Sequence, residues 1–204
     1  MASRGRKPAG RGALTREKVL EAALRIVDRE GLEELTMRRL GKELGVEAMS
    51  LYNHVSDKSA LLSGVLELAA SRFQAPDVPG RDWRKWVRQW MKNVRKLFRA
   101  HPNLFGVILT DVALGPKVLG MIDSLFGRMK EAGLDDKTQM RVWQVLRAYL
   151  YGTLAREQIK PAEMSPTAFM ACCANLARLM PSLACCDPDA QFEDGLDVIL
   201  SGLD

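Results

Sequence analysis

Three sets of residues in this 204-residue chain have chemistry to offer. They are two histidines, His54 and His101; two vicinal cysteine pairs, Cys172-Cys173 and Cys185-Cys186; and a compact run, Ser50, Tyr52, Asn53 and His54, followed closely by Lys58. The histidines fall in different predicted domains, and no Gly-x-Ser-x-Gly, Walker-type or metal-ligand spacing occurs. No catalytic set assembles, so an enzyme is not expected, and neither is a cofactor or a bound metal. Adjacent side chains on a helix point about 100° apart, which suits vicinal thiols poorly to holding one ion. The cysteines read as packed and reduced; the alternatives are a thiol sensor or a soft-metal site made across the two pairs.

The polar run is different, because its spacing gives it a face. In a helix over 47–54, Leu51 and then Val55 turn inward, which leaves Ala48, Met49, Ser50, Tyr52, Asn53 and His54 for the outside. A merely solvated helix would carry Lys and Glu there. Donors, acceptors and methyl groups on a nearly uncharged face are what base edges in a major groove ask for.

Other elements must hold that face in place. Met37, Leu40 and Leu44 form an apolar stripe over 37–44, with Thr36 as a side-chain cap and Gly45 where the helix must stop at positive φ. Val46 then plugs the turn. A bracing helix over 15–30, with Val19, Ala22, Ala23, Ile26 and Val27 on one side, opens at Thr15 and stops at Gly31. After the run, Ser56-Asp57 caps a helix from Lys58 through Leu61, Leu62, Val65, Leu66 and Leu68 to Phe73, a lever between domains. Lys58 at a helix start opposes the helix dipole, so it does not serve local helix stability. A phosphate contact explains it.

Charge is divided along the chain. Residues 1–101 hold 21 Lys or Arg against 12 Asp or Glu, a net of +9, whereas 102–204 hold 9 against 13, a net of −4. The asymmetry favours a polyanion partner at one end. Residues 1–14 interleave Gly, Ala and Pro with Arg4, Arg6, Lys7 and Arg11, the composition of a disordered basic arm, placed in a minor groove or simply solvated. Apolar residues never run for about 18 positions and no secretory signal is apparent, so no membrane segment and a cytoplasmic location are expected.

The rest is helical in pattern. A helix over 82–100 has Trp83, Trp86, Val87, Trp90, Val94, Leu97 and Phe98 on one face and a solvated basic stripe, Arg84, Arg88, Lys92, Arg95 and Arg99, on another. A short helix over 102–110, a stripe from Val118 to Met129, a long helix over 135–158, a loop over 160–166 and helices over 166–180 and 188–203 follow. No strand-like alternation stands out. The expected fold is all-α.

Leu44-Gly45-Val46, Leu51-Tyr52-Asn53-His54-Val55 and Lys58, flanked by Gly31-Leu32-Glu33 and Ala60-Leu61-Leu62, resemble the helix-turn-helix of the TetR family of transcriptional repressors. The segment 113–134 is similar to the regulatory domain of the tetracycline-repressor-like subgroup. The resemblance implies an N-terminal three-helix DNA-binding domain over 15–60 joined to a larger helical ligand-binding and dimerisation domain over 61–204. It implies a homodimer on double-stranded, near-palindromic operator DNA, released by a small-molecule inducer.

Position by position, the implied DNA surface is Thr36, Met37, Arg38, Ala48, Met49, Ser50, Tyr52, Asn53, His54 and Lys58. Tyr52 and His54 grip backbone, while Arg38, Met49, Ser50 and Asn53 meet bases. The implied pocket draws on Trp86, Trp90, Phe105, Ile108, Leu109, Val112, Met121, Trp143, Leu146, Arg147 and Tyr151, which fit a largely apolar or aromatic ligand and equally describe a filled core. Ile108 falls near the place where the tetracycline-sensing member holds magnesium through a histidine. Ile cannot ligate a hard cation, so a magnesium-tetracycline inducer is not expected. Two rival functions are a ligand-independent, architectural DNA-binding protein and a small-molecule binder that merely keeps the fold.

Overall fold

The computed structural model describes residues 13–80, 82–110, 112–159, 175, 177–179 and 187–202. The expected arm up to residue 12, the loop after 159, most of the helix expected over 166–180 and all four cysteines lie outside these residues. Among the described residues the regular structure is helical throughout, as the periodicity requires.

Helix α1, Arg16–Glu30, starts where Thr15 Oγ1 accepts the amide of Lys18 at 3.3 Å and ends at Gly31, whose φ of 95° ordinary residues avoid. Its stripe, Val19, Ala22, Ala23, Ile26 and Val27, is fully buried. α2, Met37–Leu44, is capped by Thr36, and Gly45 closes it in the left-handed region at φ 66°. α3 is Ala48–Leu51, shorter than the helix expected over 47–54. Glu47 supplies no side-chain cap, and the chain tightens after Leu51, where the amide of His54 donates to Leu51 O at 2.9 Å. Leu51 and Val55 nonetheless point inward as expected.

α4, Lys58–Ala70, begins at Asp57, whose carboxylate accepts the amide of Ala60 at 2.8 Å. It ends before Phe73 because Arg72 and Phe73 donate to Ala69 and Ala70, a tighter winding than α-helix. The boundary expected between 60 and 61 falls inside this helix, which runs on from Lys58 as expected. α1 packs along α4, and they approach closely at Gly64, where a Cβ would lie 2.6 Å from Leu20 Cδ2.

α5 is Trp83–Ala100, capped by Asp82. The short helix expected over 102–110 divides into a 3-10 turn, Pro102–Leu104, and α6, Phe105–Ile108. α7 is Pro116–Glu131, α8 is Asp136–Gln158 and α9 is Pro188–Ser201. The last buries Phe192, Leu196 and Leu200 against the rest of the chain.

The basic stripe of α5 is not merely solvated. Arg95, 5% exposed, donates through Nε to Glu157 at 2.8 Å and through Nη1 to Asp189 at 2.9 Å, with its guanidinium over the Phe192 ring. Arg88 pairs with Glu193 and Asp197, Lys92 with Glu193, and Arg99 with Glu157 and Asp189. Acidic residues of the second half are thus spent on α5, which desolvates the stripe only where partners meet it.

Contacts from α1 and α4 fasten these helices to the later elements. The Asp28 carboxylate lies 2.9 Å from His101 Nδ1, and Asn103 Nδ2 donates to Val27 O at 2.7 Å. Ser63 Oγ donates to Ala113 O at 2.7 Å. Glu67 of α4 accepts the amides of Lys117 and Val118, each at 3.0 Å, so a carboxylate of one helix caps the positive end of another.

Candidate nucleic-acid interface and ligand cavity

The first candidate site is built by a turn that tolerates no added atom. Gly41 of α2 is buried, and a Cβ there would stand 2.8 Å from Val46 O and 3.3 Å from the amide of Ala48. That contact brings α3 hard against α2. In the sequence the signal of this close approach is Gly41 itself, a glycine inside a helix at a cost of about 1 kcal/mol against alanine.

Around this turn the cations sort into two kinds. Arg39 donates to Glu30 from Nε at 2.9 Å and pairs with Glu43 at 2.9 Å, while Arg29 reaches Glu43 at 3.2 Å. Both carboxyls are held below their usual range, chiefly by hydrogen bonds from Arg39. Arg38, the preceding residue, is exposed and has no carboxylate within ion-pair distance among the described residues, and the same holds for Lys58. The paired cations lace α1 to α2, while Arg38 and Lys58 are exposed.

The predicted surface residues divide by exposure. Met49 is 74% exposed and Tyr52 46%. Thr36, Arg38, Asn53 and Lys58 are exposed as well, whereas Ala48, Ser50 and His54 are half-buried. Met37 is half-buried and packs on the core, so it offers bases little of its side chain. Thr36 spends its hydroxyl oxygen on the amide of Arg39 at 3.0 Å. Around the turn, α2, α3 and the first turn of α4 thus present a sparsely charged centre with a cation on α2 and another on α4.

The second candidate site is a cavity of about 280 Å³ between α4, α5, α7 and α8. Leu66 and Ala70 of α4 form one wall; Trp90, Met91, Val94, Leu97 and Phe98 of α5 form the next. Val118, Met121 and Ile122 of α7 and Trp143, Arg147, Leu150 and Tyr151 of α8 close it, with Ile108 of α6 and Val112 and Leu114 from the chain between α6 and α7. Its size lies at the lower edge of ordinary ligand pockets, about 300 Å³ upward. These helices do not fill the space they enclose.

Seven of the eleven residues expected to line a pocket do so: Trp90, Ile108, Val112, Met121, Trp143, Arg147 and Tyr151. Four do not. Trp86 is buried elsewhere, its indole N–H donating to Pro76 O at 3.2 Å. Phe105 stands one layer back, edge-on to Tyr151 at 5.8 Å between ring centroids. Leu109 is 61% exposed, and Leu146 is wholly buried in the core without reaching the cavity. The α4 wall was missed, although Leu66 and Ala70 stand one helical turn apart. Trp90 uses its indole N–H on Met121 O at 3.1 Å, so it presents hydrocarbon to the cavity.

Comparison with known proteins bears on both sites. Residues 19–65 match the description "Bacterial regulatory proteins, tetR family", and 75–204 match "Tetracyclin repressor-like, C-terminal domain". The chain is 34% identical over 162 residues to the HTH-type transcriptional repressor DrrR1 of Streptomyces coeruleorubidus, covering 79% of this chain and 58% of that one. It is 26% identical over 200 residues to the class C tetracycline repressor protein of Escherichia coli, covering 94% and 91%. The chain spans 58% to 62% of the length of the first curated relatives it matches. Among solved structures, apo ActR of Streptomyces coelicolor superposes with a TM-score of 0.80 at 28% identity, covering 95% and 96%. The same protein in complex with actinorhodin gives 0.79, covering 93% and 95%.

Proposed function

The chain belongs to the tetR family of bacterial regulatory proteins, and from that membership we propose that it is a transcriptional repressor. It binds a near-palindromic operator as a homodimer and is released by a small, largely apolar or aromatic ligand. One observation carries the reading: a single helix, α4, opens with exposed Lys58 beside the turn of the head and lines the cavity with Leu66 and Ala70. Whatever fills the cavity presses on the helix that carries the head.

In this reading residues 15–60 form the reading head and 61–204 the regulatory and dimerising body. Two-fold symmetry places one α3 in each of two successive major grooves. Arg38, Met49, Ser50 and Asn53 address base edges. Tyr52, His54, Lys58 and the end of α2 at Thr36 and Met37 hold the backbone, with Ala48 allowing close approach. Met49 makes thymine methyl groups suitable targets.

Ligand binding favours a dimer in which the two heads are wrongly spaced for the operator. It does so only by its preference for that state, and couplings of this kind amount to about 1–3 kcal/mol. The Asp28–His101 tie holds the head to the body directly, and Glu67 fixes α4, the helix that carries the head, to the start of α7. ActR, similar along nearly the whole chain, is known in complex with actinorhodin, which supports a ligand in the corresponding space. Ile108 on the wall offers hydrocarbon, not a ligand for magnesium.

Selection of bound sequences from a random DNA pool tests the proposal. A palindrome with half-sites one helical turn apart or a multiple of it is expected. Enrichment of no sequence contradicts it and favours an architectural role.

A further inference from the structure

Resting on the cavity as the ligand site, we propose that its ligand bears an oxyanion at one end of an apolar body, selected by Arg147 and Tyr151. These are the residues of the lining whose polar groups remain uncommitted. They stand four apart on α8, hence on one face. Of the other polar groups there, the Trp90 N–H is already donated to Met121 O. No carboxylate lines the cavity among the described residues.

Arg147 lies at the exposed edge of the site, its guanidinium 5.8 Å from the centroid of the Trp143 ring. No carboxylate or carbonyl holds it among the described residues. The arginines of α5 make the contrast: Arg88, Arg95 and Arg99 each meet acidic partners. The Tyr151 hydroxyl likewise has no hydrogen-bond partner among the described residues. Burial raises its pKa and the Arg147 charge opposes that rise, so it stays a neutral donor and feels the guanidinium.

A cation and a phenol donor on one wall, with hydrocarbon on the others, give the cavity a single positive pole. An oxyanion docked there gains a charge-assisted bond, while a neutral ligand leaves the guanidinium partly desolvated and unpaired. A cationic ligand meets repulsion as well. The Trp143 ring lies against the guanidinium, so both belong to the same edge of the cavity.

Isothermal titration calorimetry on the full chain, with 2-naphthoate and its neutral counterpart 2-naphthamide, tests this. Wild type is expected to favour the naphthoate by about tenfold, the equivalent of one charge-assisted bond at 1.4 kcal/mol per decade. Arg147→Gln should remove the preference while leaving naphthamide affinity within about twofold, and Tyr151→Phe should cost about threefold for naphthoate alone. Arg141→Gln, exposed on α8 and outside the lining, should keep the wild-type preference. Equal binding of the two compounds, or a preference that survives Arg147→Gln in a variant with an unaltered melting curve, overturns the oxyanion site and leaves the cavity reading standing. Binding of neither compound overturns both.

Discussion

The head and the cavity are sites of opposite construction. The head is a surface, assembled from one short stretch around a glycine that permits no side chain, and its cations, Arg38 and Lys58, meet no carboxylate among the described residues. The cavity is a space, assembled from α4, α5, α7 and α8, and defined by residues that fail to meet. A surface site is set by what protrudes at fixed local spacing; a cavity is set by how distant helices pack. The two should therefore fail separately, and where they fail together α4 is the reason.

The sharpest break of the pair is at Gly41. Gly41→Val drives methyl groups into Val46 O and undocks α3, costing at least about 1–3 kcal/mol in the packing alone. Operator affinity by fluorescence anisotropy should fall 100-fold or more, while calorimetric binding in the cavity persists. Lys58→Ala and Arg38→Ala come next. Each removes an unpaired cation and should weaken operator binding by about 1–3 kcal/mol, with the salt dependence of log K reduced by about one phosphate for Lys58. Arg39→Ala, by contrast, should act on head stability more than on the salt slope, since Arg39 is spent on Glu30 and Glu43.

On the other side, Val118→Phe should occupy part of the cavity. Ligand heat in calorimetry should drop by tenfold or more in affinity, with operator affinity kept within about threefold. Overfilling costs about 1–3 kcal/mol where the lining cannot give, so the melting temperature accompanies the measurement.

The smallest effect is with pH. Glu30 and Glu43 titrate below their usual 4.5 because Arg39 donates to them. Stability from these pairs is full above 4.5 and is lost as pH falls through the depressed folded values. Exposure and screening keep it modest. An acid melt of wild type against Arg39→Gln should show the variant less sensitive in that window.

This difference in construction also explains what could be read from the sequence. Thr15, Thr36, Asp57 and Gly45 act through neighbours three or four residues away, so caps and stops were legible. Leu40, Leu51 and Val55 were legible as inward residues for the same reason. Trp86 was not, because it sits on the same apolar face as Trp90, and only the position of Pro76 O decides which indole is committed away from the cavity. Phe105 and Leu146 are aromatic or aliphatic and central, as pocket residues are, yet the packing places both behind the wall. The α5 stripe looked solvated because its partners, Glu157, Asp189, Glu193 and Asp197, lie far along the chain. Short-range chemistry is written in spacing; long-range pairing is not.

What joins the two sites is α4, from Lys58 at the head to Leu66 and Ala70 in the wall. The direct test is operator affinity by fluorescence anisotropy with and without 2-naphthoate at concentrations that calorimetry shows to saturate the cavity. At the lower end of allosteric coupling, about 1 kcal/mol, the operator should bind roughly fivefold more weakly with the cavity full. Unchanged operator affinity with the cavity demonstrably occupied would contradict the coupling through α4.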